Sequence, residues 1–206
     1  MEKIVISDLT KRFGEKTVLD RFSLEIEKGR IFCIMGASGC GKTTLLRIMT
    51  GLEKADEGKV SGIDLDRISF VFQEDRLIGH LSALSNAILP LRSDAGVKKA
   101  GMEALAFLGL KGEERKRACD LSGGMARRVS IARAMLKEAD IVFMDEPFKG
   151  LDKDTKEKTI SFVKKHAEGK TLIVVTHSLA EAGLLGGEVF KMPSADSNLE
   201  KKGENV

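Results

Sequence analysis

Apolar runs of strand length, too uniform for a surface helix, punctuate this chain. Ile31-Phe32-Cys33-Ile34-Met35 is unbroken, as a strand buried on both faces requires. Residues 67–72, 140–146 and 171–176 repeat the pattern and predict three further core strands. Two weaker signals precede the first run. Residues 3–9 alternate imperfectly, and Phe22, Leu24 and Ile26 alternate cleanly with Ser23, Glu25 and Glu27, so a small antiparallel sheet is expected beside a parallel core. Between these two strands, residues 11–16 are expected as a turn, and residues 54–62 are polar with no strand signal. Residues 188–192 predict an edge strand, and residues 193–206 a polar, frayed end.

Helical spacing takes over elsewhere. Leu45, Leu46, Ile48 and Met49 recur as on a helix after the first core strand. Residues 77–112 read as helical with breaks at Pro90 and around Ser93-Asp94-Ala95-Gly96, which places His80 in a helix. Ala100, Ala104, Phe107 and Leu108 form an apolar stripe there, and residues 111–117 a charged turn. Val129, Ala132, Met135 and Leu136 mark the next helix, on which Arg127, Arg128 and Arg133 read as a solvated face. A lysine-rich helix runs from Gly150-Leu151-Asp152 to about His166. With Gly36–Thr44 fitting G-x-x-x-x-G-K-[ST] between a strand and a helix, the fold class expected is α/β: a P-loop NTPase core with a mainly parallel sheet, a small antiparallel β subdomain and an inserted α-helical subdomain. The division expected is one domain over 1–206 with the insert at about 77–130.

Candidate chemistry sits where the core strands end. Gly36-Ala37-Ser38-Gly39-Cys40-Gly41-Lys42-Thr43-Thr44 fits G-x-x-x-x-G-K-[ST] between a strand and a helix. Its glycines let backbone N–H groups approach phosphate oxygens, and the following helix adds its positive dipole end. Lys42 is placed to reach the β- and γ-phosphates, and the Thr43 hydroxyl to bind Mg²⁺. Gln73 ends the second core strand, either capping it or touching a nucleotide or its metal. The third ends in Asp145-Glu146; paired carboxylates there need cationic partners, so Asp145 fits a metal-side acid and Glu146 a general base toward water. His177 ends the fourth strand and is read as functional because Gln73 and Glu146 end theirs in the same way. Ser122-Gly123-Gly124 opens a helix, as a cap or as a second anion-ready terminus. Phe13 is a turn aromatic or a platform for a purine ring.

Composition narrows the field. Lys+Arg 34 less Asp+Glu 31 leaves +3, which makes no case for nucleic acid or a bare membrane surface. Cys33, Cys40 and Cys119 have no CxxC spacing and read as free thiols; a redox role for Cys40 in the phosphate loop is the alternative. No apolar run approaches the roughly 18 residues of a membrane span, and the chain is expected to be soluble and cytoplasmic.

Taken together in their order, Phe13, the loop at 36–44, Gln73, Leu121-Ser122-Gly123-Gly124, Asp145-Glu146, Leu151-Asp152 and His177 make the chain resemble the nucleotide-binding subunit of an ATP-binding cassette (ABC) transporter. The resemblance implies an ATP hydrolase that powers transport of a small solute through a separate integral membrane permease, peripheral at the inner face of the membrane. It implies ATP and Mg²⁺, with Thr43, Gln73 and Asp145 toward the metal and Glu146, His177, Gln73 and Lys42 in catalysis. Phe13 would stack on adenine. Two subunits, expected as a homodimer, would face each other head to tail, with Ser122 and Gly124 on the partner's γ-phosphate and Asp152 coupling the sites. The segment after Gln73 and the helical insert would dock on the permease. A solute-binding protein is a possible further partner; nucleic acid is not expected. Gln73-Glu74-Asp75-Arg76-Leu77 and Glu146-Pro147-Phe148 are most similar to bacterial importers of nitrate, sulfonate or taurine. The alternative is a non-transport ABC-type ATPase acting on ribosome or DNA. Two departures stand out: Met125 replaces a glutamine, and Lys149-Gly150 replaces a small polar pair. No regulatory C-terminal domain is expected.

Overall fold

The computed structural model describes residues 2–91 and 96–193. A five-stranded parallel sheet in the order β5-β6-β7-β3-β8 forms its centre, with β3 at Ile31–Met35, β5 at Ile68–Val71, β6 at Ile141–Asp145, β7 at Thr171–Val175 and β8 at Glu188–Lys191. A three-stranded antiparallel sheet, β2-β1-β4, lies beside it, built from β1 at Lys3–Phe13, β2 at Lys16–Glu27 and β4 at Glu57–Ser61. The helices are α1 at Lys42–Met49, α2 at Ala83–Ile88, α3 at Val97–Phe107, α4 at Gly123–Leu136, α5 at Lys153–His166 and α6 at Leu179–Leu185.

Period-two alternation sorts the sheet residues into two cores. On one face Cys33, Met35, Val142, Met144, Leu172 and Val174 pack with Leu105, Val129, Met135, Phe162 and Leu185 from α3 to α6. On the other, Ile34, Ile141, Phe143, Ile173 and Val175 meet Leu45, Leu46 and Met49 of α1 and Ile4, Ile6 and Ile26 of the antiparallel sheet. β6 and β7 are buried at every position, which is why they read as continuous apolar runs.

Several boundaries differ from the sequence expectation. The turn expected over 11–16 shrinks to Gly14-Glu15, because Lys11 to Phe13 pair with β2 and Lys16 already belongs to it. β4 carried no apolar signal: Glu57, Gly58 and Lys59 are exposed, and the strand forms by backbone pairing to the edge of β1. Residues 77–82 are irregular rather than helical, and His80 sits in a turn there. The buried Asn86 amide holds that segment by accepting from Ile78 N (2.8 Å) and donating to Ile78 O (3.1 Å). On α3, Phe107 is 45% exposed, and Gly101, Ala104 and Leu105 do the packing. A Cβ at Gly101 would fall 2.4 Å from Ile88 Cγ2, so α2 and α3 pack this closely because the residue is glycine. α6 was missed; Ser178 caps it and Gly186, at φ 71°, ends it. Ser93, Asp94 and Ala95 of the expected break, and 194–206 of the expected frayed end, lie outside the described residues.

Candidate functional site

Four adjacent parallel strands point their carboxyl ends the same way. In the order β5, β6, β7, β3 those ends carry Gln73, Asp145-Glu146, His177 and the loop that begins at Gly36. Strands lie about 4.8 Å apart, so residues far apart in sequence converge on one edge of the sheet. One cleft there is lined by Phe13, Lys16, Val18, Ser38, Gly39, Gly41, Lys42, Thr43, Thr44, Gln73, Glu146 and His177.

The loop at 36–44 is shaped by its glycines. Gly39 and Gly41 lie at φ 78° and 101°, where side-chain-bearing residues are strained. A Cβ on Gly41 would also stand 3.0 Å from Val18 Cγ1. Lys42, nearly buried, folds its ammonium back over the loop and donates to Gly36 O (3.0 Å) and Ala37 O (2.7 Å). That places a cation and the N-terminus of α1 at the same concavity, a suitable cradle for phosphate. Cys40 is buried with its Sγ 3.8 Å from the same ammonium. Cys33, Cys40 and Cys119 are free; burial pushes the Cys33 thiol up to about 11.

Asp145 is almost fully buried beside Thr43. Burial pushes its carboxyl above the ordinary aspartate range, against the Thr43 hydrogen bond, which favours the charged form. A carboxylate and a hydroxyl are hard oxygen donors suited to Mg²⁺. Among the described residues no group of three or more His, Cys, Asp or Glu could hold a metal ion, so an ion at Thr43 and Asp145 needs further oxygens, which triphosphate oxygens supply.

Glu146 differs from its neighbour. It adopts φ 46°, a strained conformation for a residue with a side chain, and its N–H donates to Val175 O at 2.9 Å. Its carboxylate is held at both ends: Oε1 lies 2.7 Å from His177 Nε2 and Oε2 2.9 Å from Lys149 Nζ. Burial alone would raise its pKa, but Lys149 and His177 together leave it below the ordinary glutamate range. Below that carboxylate, Thr176 Oγ1 donates to Glu181 Oε2 (2.5 Å) while Lys156 Nζ pairs with Glu181 Oε1 (2.8 Å), fixing the residue that precedes His177.

Phe13 is half-exposed at the cleft rim with Lys11 Nζ 5.0 Å from its ring centre. Ser122, Gly123 and Gly124 are not among the residues that line the cleft. Ser122 is exposed and its Oγ accepts from Met125 N at 3.3 Å, a helix cap. Met125 packs against the core.

The arginines of α4 contradict the expectation of a solvated face. Arg127 is buried and donates to Phe72 O and Gln73 O while its Nε pairs with Asp75 at 3.1 Å. Arg133 reaches Asp75 O (3.1 Å) and Arg76 O (2.9 Å), and Arg128 reaches Leu108 O (2.6 Å) and Gly124 O (3.0 Å). Irregular backbone at 72–76 leaves carbonyls without ladder partners, and Arg127 and Arg133 satisfy them. No sequence signal pointed to this role, since arginine spacing alone does not reveal a carbonyl partner over 50 residues away.

Residues 19–149 match the family described as ABC transporter. The aliphatic sulfonates import ATP-binding protein SsuB 1 of Nocardia farcinica is 39% identical over 191 residues, covering 91% of this chain and 76% of the relative. The sulfate/thiosulfate import ATP-binding protein CysA 2 of Chromobacterium violaceum is 37% identical, covering 93% of this chain and 56% of the relative. In structure, the chain is similar to the dimeric post-hydrolysis state of the ATP-binding cassette MJ0796 bound to ADP and Pi, with a TM-score of 0.81 and 34% identity over 92% of this chain and 94% of that one.

Proposed function

The chain belongs to the ABC transporter family, and from that premise we propose that it is the ATP-hydrolysing subunit of an importer of a small solute. It binds ATP and powers a separate membrane permease as one half of a dimer. The observation that carries this reading is the convergence of the loop at 36–44, Gln73, Glu146 and His177 on one cleft, in a chain similar to import ATP-binding proteins. Among the described residues no helix is long and apolar enough to cross a membrane.

In this reading the backbone N–H groups from Gly36 to Thr44 cradle the phosphates, and Lys42 turns from Gly36 O and Ala37 O to the β- and γ-oxygens. Phe13 stacks on adenine. Thr43, Asp145 and Gln73 hold Mg²⁺, which when bound neutralises charge developing on the phosphates. Glu146 takes the proton of the attacking water, and His177 orients that carboxylate through its 2.7 Å contact. Ser122, Gly123 and Gly124, the first two exposed and all three outside the residues lining the chain's own cleft, close over the nucleotide of a second copy. The chain is one ABC ATPase domain, with the helices between β5 and β6 as an inserted subdomain facing the permease. A solute-binding protein delivers the solute, of the oxyanion class that the names of the relatives suggest, and the dimer lies at the inner face of the membrane.

The test is Glu146→Gln. Phosphate release falls by about a hundredfold or more, the range of general-base removal, while ATP still binds. Undiminished release would remove Glu146 from its role.

A further inference from the structure

Both carboxylate oxygens of Glu146 carry a nitrogen partner. His177 Nε2 lies on Oε1 and Lys149 Nζ on Oε2, so a water accepted at the remaining lone pairs meets a carboxylate whose orientation and charge are shared with an ammonium. Neighbouring lysines are committed elsewhere: Lys156 of the same recess pairs with Glu181, and Lys42 of the adjoining cleft donates to the loop carbonyls. Lys149 differs from them in being 63% exposed on its side chain and one residue from Gly150, which takes φ 79°. It is therefore free to swing away while the rest of the recess, lined also by Ser38, Gln73, Thr176 and Ser178, stays fixed.

We infer that Lys149 is a positioning residue that restrains the reaction: it clamps Glu146 Oε2 in the resting chain, and hydrolysis requires that clamp to be lifted. The inference rests on Glu146 being the group that receives the water's proton. A second copy pressing on the Lys149-Gly150-Leu151-Asp152 segment supplies the force that lifts it. The clamp thus makes turnover depend on assembly of the complete site. It acts on the chemical step and leaves ATP binding alone, because the Lys149 ammonium is paired with Glu146.

The experiment compares phosphate release by the full chain and by its Lys149→Ala, Lys149→Met, Lys149→Arg and Glu146→Gln variants over a range of ATP concentrations. Removing the clamp raises kcat about two- to fivefold, the range open to one half-exposed ion pair, with KM for ATP unchanged. Lys149→Met keeps the apolar stem and rises like Lys149→Ala, while Lys149→Arg returns to the parent rate. A kcat that stays level or falls in both Ala and Met variants overturns the clamp, as does a rise in KM without a rise in kcat. Activity retained by Glu146→Gln overturns the assignment of Glu146 itself, a different failure that the same plate distinguishes.

Discussion

Two glycine-rich helix starts in this chain, at 36–44 and at 122–124, use the same physics with different outcomes. Each exposes N–H groups at the positive end of a helix. The first is enclosed: Cys40, Gly41 and Lys42 are buried, a cation folds over the loop, and β5, β6 and β7 bring Gln73, Glu146 and His177 to it. The second has no such company. Ser122 and Gly123 are exposed, the serine caps its own helix, and no residue of the turn lines the cleft. In the proposed function one start is a binding site within a single chain, and the other is half of a site that a second chain completes.

The sharpest way to break that comparison is to damage each start separately. Lys42→Ala weakens ATP binding to the isolated chain by at least tenfold, on the order of one charge-assisted contact to phosphate. Ser122→Glu leaves that binding untouched yet lowers phosphate release by about a hundredfold, since a carboxylate would face the phosphate charge. Mixing the two inactive variants restores part of the rate, because one composite site then joins an intact loop to an intact turn. Titration calorimetry and a phosphate assay read both; a Ser122→Glu chain that hydrolyses normally would return the turn to a plain helix cap.

A smaller effect tests how the two starts are joined. Arg127 lies in the first half of the helix that Ser122 opens and is bonded to the backbone of Gln73, which belongs to the other site. Arg127→Ala strands Asp75 and two carbonyls, and unfolding stability should fall by about 3 kcal/mol. Denaturant titration measures it, and a change within error would mean that the segment at 72–76 holds itself.

The smallest effect concerns the enclosed start alone. Burial raises the Asp145 pKa, so its ionised form costs stability at every pH above the unfolded value, and the cost disappears as pH falls and the group protonates. Asp145→Asn therefore raises the melting temperature of the nucleotide-free chain at neutral pH and flattens its pH dependence between weak acid and neutrality. A lower melting temperature at pH 7 would show that Thr43, Arg47 and Lys42 already compensate the charge.

What is legible in the amino-acid sequence follows from burial. Strands covered on both faces must be apolar throughout, so β3, β6 and β7 stood out within a residue of their ends. The loop at 36–44 was equally plain, because close approach of backbone to phosphate leaves few alternatives to glycine. β4 was invisible because a strand held by backbone pairing at an exposed edge places no demand on its side chains. The irregular stretch at 77–82 looked helical because its apolar residues serve a packed turn secured by Asn86.

The chain alone therefore determined which residues are candidates for chemistry and which strands they end, since spacing and residue type are local properties. Only the tertiary structure decided who holds whom. Strand order set Glu146 against His177, chain direction after Pro147 laid Lys149 over the same carboxylate, and helix packing turned Arg127 inward to the carbonyls of 72–73. Such contacts join residues through space, where the free energy depends on distance and burial, and neither quantity is written in the order of the amino acids.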